Sequence, residues 1–299
     1  MIVRGMRSIL VMLDGSIWRS KLTTVAHGIG EEQYLLSDRY GAKLEDFAEI
    51  GRISHEHSQR NPYAQFQQKY SLKEIQESTM IYEPLTKLQC SPTSDGAGAA
   101  VIVSERFLEK NSQLKSQAIL MAGQALRTDD PSLYSKSAMD LVGFGMSKTA
   151  AEQAMKEAGV TPKDISVCEL HDCFSANELI LLEGLGFAEK GKAHELVRNG
   201  DITYGGKGPV INPSGGLISK GHPLGATGLA QCCELTWQLR GKSRLSKRLR
   251  SSSTNVECYR LGQQPPRPGR CGSPAQLRSR WRCRGQRVQT RRWQEERRA

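Results

Sequence analysis

The stretch 211–228, INPSGGLISKGHPLGATG, constrains this chain more than any other, because it places glycine at 215, 216, 221, 225 and 228 around one histidine, His222. Glycine loses more conformational freedom on folding than any other residue. A cluster of glycines therefore marks backbone that turns through positive φ or that another group approaches closely. Pro223 fixes its own φ and restricts the residue before it to extended backbone, so the His222 imidazole is held in place.

A helical pattern follows this loop. The pattern spans 226–240, with Leu229, Cys233 and Trp237 at steps of four and Gly241 as its stop. A second junction of the same kind is VCELHDCFSANE, where a strand over 166–170 leads through His171 to a helix opened by Ser175 and Glu178 as a capping box. Leu179, Ile180, Leu182 and Leu185 give that helix its apolar stripe. Upstream, Thr149 with Glu152 offers a further capping box and Gly159 a helix stop, and Ser71 caps a short helix. The turn at Asp95 and Gly96 leads into Val101, Ile102 and Val103, which read as a buried strand. Residues 31–82 are polar and irregular and read as an excursion from the core. Repeated strand, glycine loop and helix make an α/β layered fold the expectation.

Known phosphate cradles do not fit. Gly206 stands where a P-loop lysine should be, and no GxGxxG follows an expected strand. His55 and His57 form an HxH without a nearby third ligand, so no metal is expected. Cys232 and Cys233 fall on a helix and read as core thiols, and no regular cysteine spacing points to disulfides. The formal charge of +11 is a property of one end: residues 241–299 hold 17 basic and 3 acidic side chains, leaving 25 and 28 in residues 1–240. That excess is no warrant for nucleic-acid binding by the folded part. No run approaches the roughly 18 apolar residues of a membrane helix.

Taken together, DGAGAA, CELHDCFSANE, TYGGKGPVINPSGGLISKGHPLGATGLAQ and QLRG resemble the thiolase family, in particular its sterol carrier protein x type of 3-oxoacyl-CoA thiolase. NPYAQF and LQCSPTSDGAGAA strengthen that choice. The resemblance implies a layered αβαβα fold, usually homodimeric and peroxisomal, acting in lipid metabolism on acyl-CoA, with CoA as substrate and no cofactor. It assigns His222 of GHP to a thioester oxygen and to activation of a cysteine, and His171 of HDCF to an enolate oxygen. Ser91, Asn212, Ser214, Gly215 and Gly221 are the expected substrate-binding residues, and Lys207 and Lys220 are either CoA-phosphate ligands or surface lysines.

The likeness covers residues 31–241. The expected organisation is an unassigned segment 1–30, the end of a first thiolase half with a loop region over 31–110, a second half lacking its last strands over 111–240, and a basic, disordered tail over 241–299. The family nucleophile is a cysteine upstream of this likeness, whereas the first cysteine here is Cys90. The expectation is therefore an incomplete thiolase, weak or inactive alone, with acyl-CoA binding or pairing with an intact subunit as the alternative.

Overall fold

The computed structural model describes residues 2–4, 8–10, 41–128, 131 and 138–241. Most of segment 1–30 and the tail beyond Gly241 lie outside the described residues, so the expectations for them are not addressed further. In chain order the principal elements are β1 (Ile2–Arg4), β2 (Ser8–Leu10), α1 (Leu44–Ser58), α2 (Leu72–Gln76), β3 (Met80–Tyr82), β4 (Leu85–Thr86), α3 (Glu105–Lys110) and β5 (Leu120–Gly123). There follow α4 (Ala138–Leu141), α5 (Phe144–Ala158), β6 (Val167–Glu169), α6 (Ser175–Gly184), α7 (Ala193–Arg198), β7 (Val210–Ile211), a π-helical turn (Gly216–Lys220) and α8 (Thr227–Leu239).

One sheet has the order β5-β1-β2-β6-β7. Strand β6 runs parallel to both β2 and β7, pairing Val167 with Val210 and Cys168 with Ile211. This pairing positions the site: the two strand–loop–helix junctions leave the carboxyl ends of adjacent parallel strands, where α/β sheets present functional loops. The loops carrying His171 and His222 are thereby neighbours although 51 positions apart in the sequence.

Helix α6 lies in the middle of the core. Leu179, Ile180, Leu181 and Leu182 are all at most 2% exposed, so it is buried all round rather than along a single stripe. Its expected capping box is not formed: Ser175 Oγ donates to Gln89 Oε1 at 2.9 Å, and the Glu178 carboxylate accepts from Asn212 Nδ2 at 2.8 Å. Both side chains are drawn into tertiary contacts. Likewise α5 begins at Phe144, after Gly143 at φ 83°, so Thr149 is interior and its hydroxyl donates to the Gly145 carbonyl. Gly159, at φ 66°, does end that helix.

Three expectations are corrected. Within the supposed polar excursion, α1 is a core helix, with Phe47, Ile50 and Ile53 buried at i, i+3 and i+6. Its other buried positions include the polar Asp46, Ser54, His55, His57 and Ser58, which disguise the face in the sequence. Conversely, Val101 and Ile102 are 93% and 78% exposed and form no strand. On α8, the expected stripe is also displaced. Leu235 and Leu239 are buried, while Leu229, Cys232, Cys233 and Trp237 are half-buried, Trp237 lying against Tyr63.

Candidate active site

His171 and His222 meet edge to face, with ring centroids 4.9 Å apart and ring planes at 88°. His171 is 4% exposed and sits two residues beyond the end of β6. Its backbone carbonyl accepts a short hydrogen bond from Asn177 Nδ2. His222 is fixed on several sides. Its N–H donates to Ser94 Oγ at 3.1 Å, its Nδ1 lies 2.8 Å from Thr227 Oγ1, and its backbone forms an isolated parallel bridge with Thr93. The Thr227 hydroxyl donates to the Pro223 carbonyl at 3.0 Å, so it accepts from His222 Nδ1–H and leaves Nε2 able to act as base.

Burial holds both imidazoles neutral. It pushes the pKa of His171 down to about 3, aided by the neighbouring His222. His222 is lowered to about 4 by burial and then by the positive charge of Lys220. A neutral imidazole accepts a proton at Nε2 or donates from it without first shedding charge, which suits a site where a carbonyl oxygen becomes negative.

Beside His222 opens a cavity of about 360 Å³ lined by residues 94–98 and 223–226. Its walls are the SDGAG and PLGA segments, and glycines let them close on each other. A Cβ on Gly96 would stand 2.9 Å from Pro223 Cγ, and one on Gly98 would stand 2.7 Å from Leu229 Cβ. The cavity stops one residue short of His222.

Behind the histidines lies a buried polar layer. Asn212, at φ 48°, accepts from the Leu170 N–H with Oδ1 and donates to Glu178 with Nδ2, while its carbonyl faces His57 Nδ1 at 3.1 Å. Ser214 donates from its N–H and its hydroxyl to the two oxygens of Glu169, at 2.9 and 2.8 Å. Gly215, at φ 100°, lies where a Cβ would run into Ser58. The polar contacts of Asn212 and Ser214 thus run within the protein, as does that of Ser91, whose N–H donates to the Cys173 carbonyl at 2.8 Å. Gly221, at φ 111°, leaves room for Gln65 and Ser94. Lys207 is exposed, but Lys220 is neither surface-solvated nor free for phosphate: it is 10% exposed and pairs with the fully buried Glu169 at 3.3 Å.

Sequence reasoning passed over Gln65, Ser94, Asn177 and Thr227. Ser94 Oγ donates to Gln65 Oε1 at 2.5 Å while accepting from His222, and the backbone of residues 65 and 66 bonds to that of 220 and 219. The segment around Gln65 thus straps the histidine loop. The available signal was NPYAQF itself, which is polar yet lies inside the likeness. His55 and His57 belong to the same support: both rings are buried, and His57 Nε2 lies 2.7 Å from Thr203 Oγ1. Among the described residues no group of three or more His, Cys, Asp or Glu could hold a metal ion, and no helix is long and apolar enough to cross a membrane.

Residues 130–253 match the family model described as Thiolase C-terminal domain-like. The sterol carrier protein 2 of Oryctolagus cuniculus is 57% identical over 207 residues, covering 69% of this chain and 38% of that protein. The chain belongs to the thiolase family. Among solved structures, an Ltp2-ChsH2(DUF35) aldolase superposes with a TM-score of 0.61 at 25% identity, over 78% of this chain and 62% of its own. Human mitochondrial 3-ketoacyl-CoA thiolase superposes at 0.52 with 19% identity, over 75% and 56%, which is a likeness of fold. The thiolase-like α/β architecture expected from the sequence is thus what the chain has, in the part it spans. That part is well under half the length of the rabbit relative.

Four of the described thiols are a poor source of nucleophile. Burial raises the pKa of Cys90 to about 12, and it raises Cys168, Cys173 and Cys232 as well. Cys90 Sγ moreover points its proton at the Thr86 carbonyl, at 3.3 Å. A thiolate is the reactive form, and these four sites oppose it.

Proposed function

We propose that the His171–His222 pair receives the carbonyl oxygen of a CoA thioester, making this chain the oxygen-binding half of a 3-oxoacyl-CoA thiolase-type acyltransferase site. The observation that carries the reading is the contact of two neutral imidazoles, His171 buried and His222 half-buried, beside an open glycine-walled cavity. In thiolysis a cysteine thiolate adds to the 3-oxo carbon, the C2–C3 bond breaks, and its electron pair passes into the enolate of the departing thioester. C2 then takes a proton, and the thiol of CoA accepts the acyl group from sulfur, restoring the thiolate. His222 Nε2 takes the proton of the attacking thiol and returns it, while N–H donors at the pair hold the negative oxygen. Removing one such donor typically costs about 10²–10³ in rate.

The thiolate comes from outside the four thiols described above, so the chain alone binds thioester and turns it over weakly or not at all. A non-catalytic role as an acyl-CoA-binding or subunit-pairing protein is favoured by one observation, the exposure of Val101 and Ile102. The family further suggests a peroxisomal homodimer in lipid metabolism, with Ser91, Asn212, Ser214, Gly215 and Gly221 as the substrate-binding residues. Calorimetric titration of the full chain with acetoacetyl-CoA, alongside a thiolysis assay with free CoA, tests the reading. Binding weakened at least tenfold by His222→Ala supports it; binding equal in both proteins refutes it, and full turnover by the chain alone refutes the account of the nucleophile.

A further inference from the structure

We infer that Asp172 is a positioning residue that sets the distance between the two imidazoles. Its place in the chain is next to His171, and its side chain reaches the other histidine's loop. Oδ1 accepts from the Leu217 N–H at 2.7 Å and Oδ2 lies 3.5 Å from the Ile218 N. These are first-turn amides of the π-helical turn Gly216–Lys220, and His222 follows that turn by two residues. A single carboxylate therefore fastens the His171 backbone to the start of the segment that delivers His222. Amides at the start of a helical turn have no partner within the turn, so the carboxylate meets a real need.

The fit has been made for this carboxylate. Gly216, at φ 60°, lies so close that a Cβ built there would collide with both oxygens of Asp172. Its neighbour Gly215 is pressed in the same way by Ser58 of α1. The turn is thus clamped between α1 and the residue after His171, and at its far end Ser94 and Gln65 hold Gly221 and His222. Asp172 is fully buried, and among the described residues no lysine or arginine side chain bonds to it directly; Lys220 instead pairs with Glu169. Burial raises its pKa to about 8, so its neutral amide isostere is a fair substitute.

This inference rests on the reading of the pair as the site, but its test reads imidazole geometry, which is defined whether or not the chain binds thioester. In the full chain, nuclear Overhauser contacts between the His171 and His222 ring protons are expected in the native protein and in Asp172→Asn, which keeps an oxygen for the Leu217 N–H. They are expected to be lost in Asp172→Ala and in Gly216→Ala, whose methyl displaces the carboxylate. Loss in Asp172→Ala with rescue by Asp172→Asn separates positioning from general loosening. A folded Asp172→Ala protein with the contacts intact overturns the inference. Should Asp172→Ala fail to fold, exchange of the Leu217 amide in the native chain decides: strong protection supports the clamp, and exchange at the rate of an exposed amide overturns it.

Discussion

Replacing Lys220 by methionine keeps most of its apolar stem and removes the cation that bonds to Glu169. The pair is separated by 3.3 Å, with Lys220 10% and Glu169 0% exposed. Two unit charges at that distance attract by about 5 kcal/mol at an effective dielectric of roughly 20. Part of this is offset, because Glu169 retains both bonds from Ser214. Removing one member of a buried pair generally costs about 3–5 kcal/mol, since the other is left uncompensated. Lys220→Met should therefore lower the stability of the full chain by about 3 kcal/mol in urea titration at neutral pH, with an unchanged denaturant slope. Adding Glu169→Gln removes the stranded charge and should restore part of the loss, so that the double variant is more stable than the sum of the single changes implies. A loss below about 1 kcal/mol, or strict additivity, would refute the claim that this ion pair holds the histidine loop.

Stability should peak near pH 6.5. His55, His57, His171 and His222 have folded pKa values of about 3 to 4, against 6.5 for the free side chain, so the unfolded chain gains protons first as pH falls. Their contribution, complete above about pH 6.5, is lost toward pH 4, with a limiting slope of about 1.4 kcal/mol per pH unit for each fully buried ring. Asp172 and Glu178 have raised pKa values, so they oppose this slope and remove stability as pH rises toward 8. Urea midpoints measured from pH 4 to 8 check the maximum, and a midpoint still rising at pH 8 contradicts it. Gly96→Ala and Gly98→Ala should each destabilise by about 1–3 kcal/mol through overpacking against Pro223 and Leu229, and should narrow the cavity. Weakened acyl-CoA binding by calorimetry is the expected readout. Native alkylation followed by peptide mapping should leave Cys168 and Cys173 unmodified until the protein unfolds, because both are buried with raised pKa values.

The two histidines were legible in the sequence because each sits at a break between a strand and a helix, in a motif the family carries. Parallel pairing of β6 and β7 then brings those breaks together. Helix α1 was not legible, since half of its buried face is polar. His57 is satisfied by Asn212 and Thr203, about 150 positions away, which no local pattern reveals. Lys220 read as a surface residue for the same reason: its partner Glu169 is 51 positions upstream. The apolar run Val101, Ile102 and Val103 shows the opposite failure. Its composition suits a buried strand, but strand propensity records fit to a half-buried surface, and Val101 and Ile102 are left mostly exposed.

The account stands on two imidazoles polarising one thioester carbonyl. The direct measurement is the ¹³C resonance of a CoA thioester labelled at that carbonyl and bound to the full chain. It should move downfield on binding, and the movement should shrink in His171→Ala and again in His222→Ala. A bound carbonyl that resonates as it does in free solution, or a displacement that survives loss of both rings, would contradict the central claim.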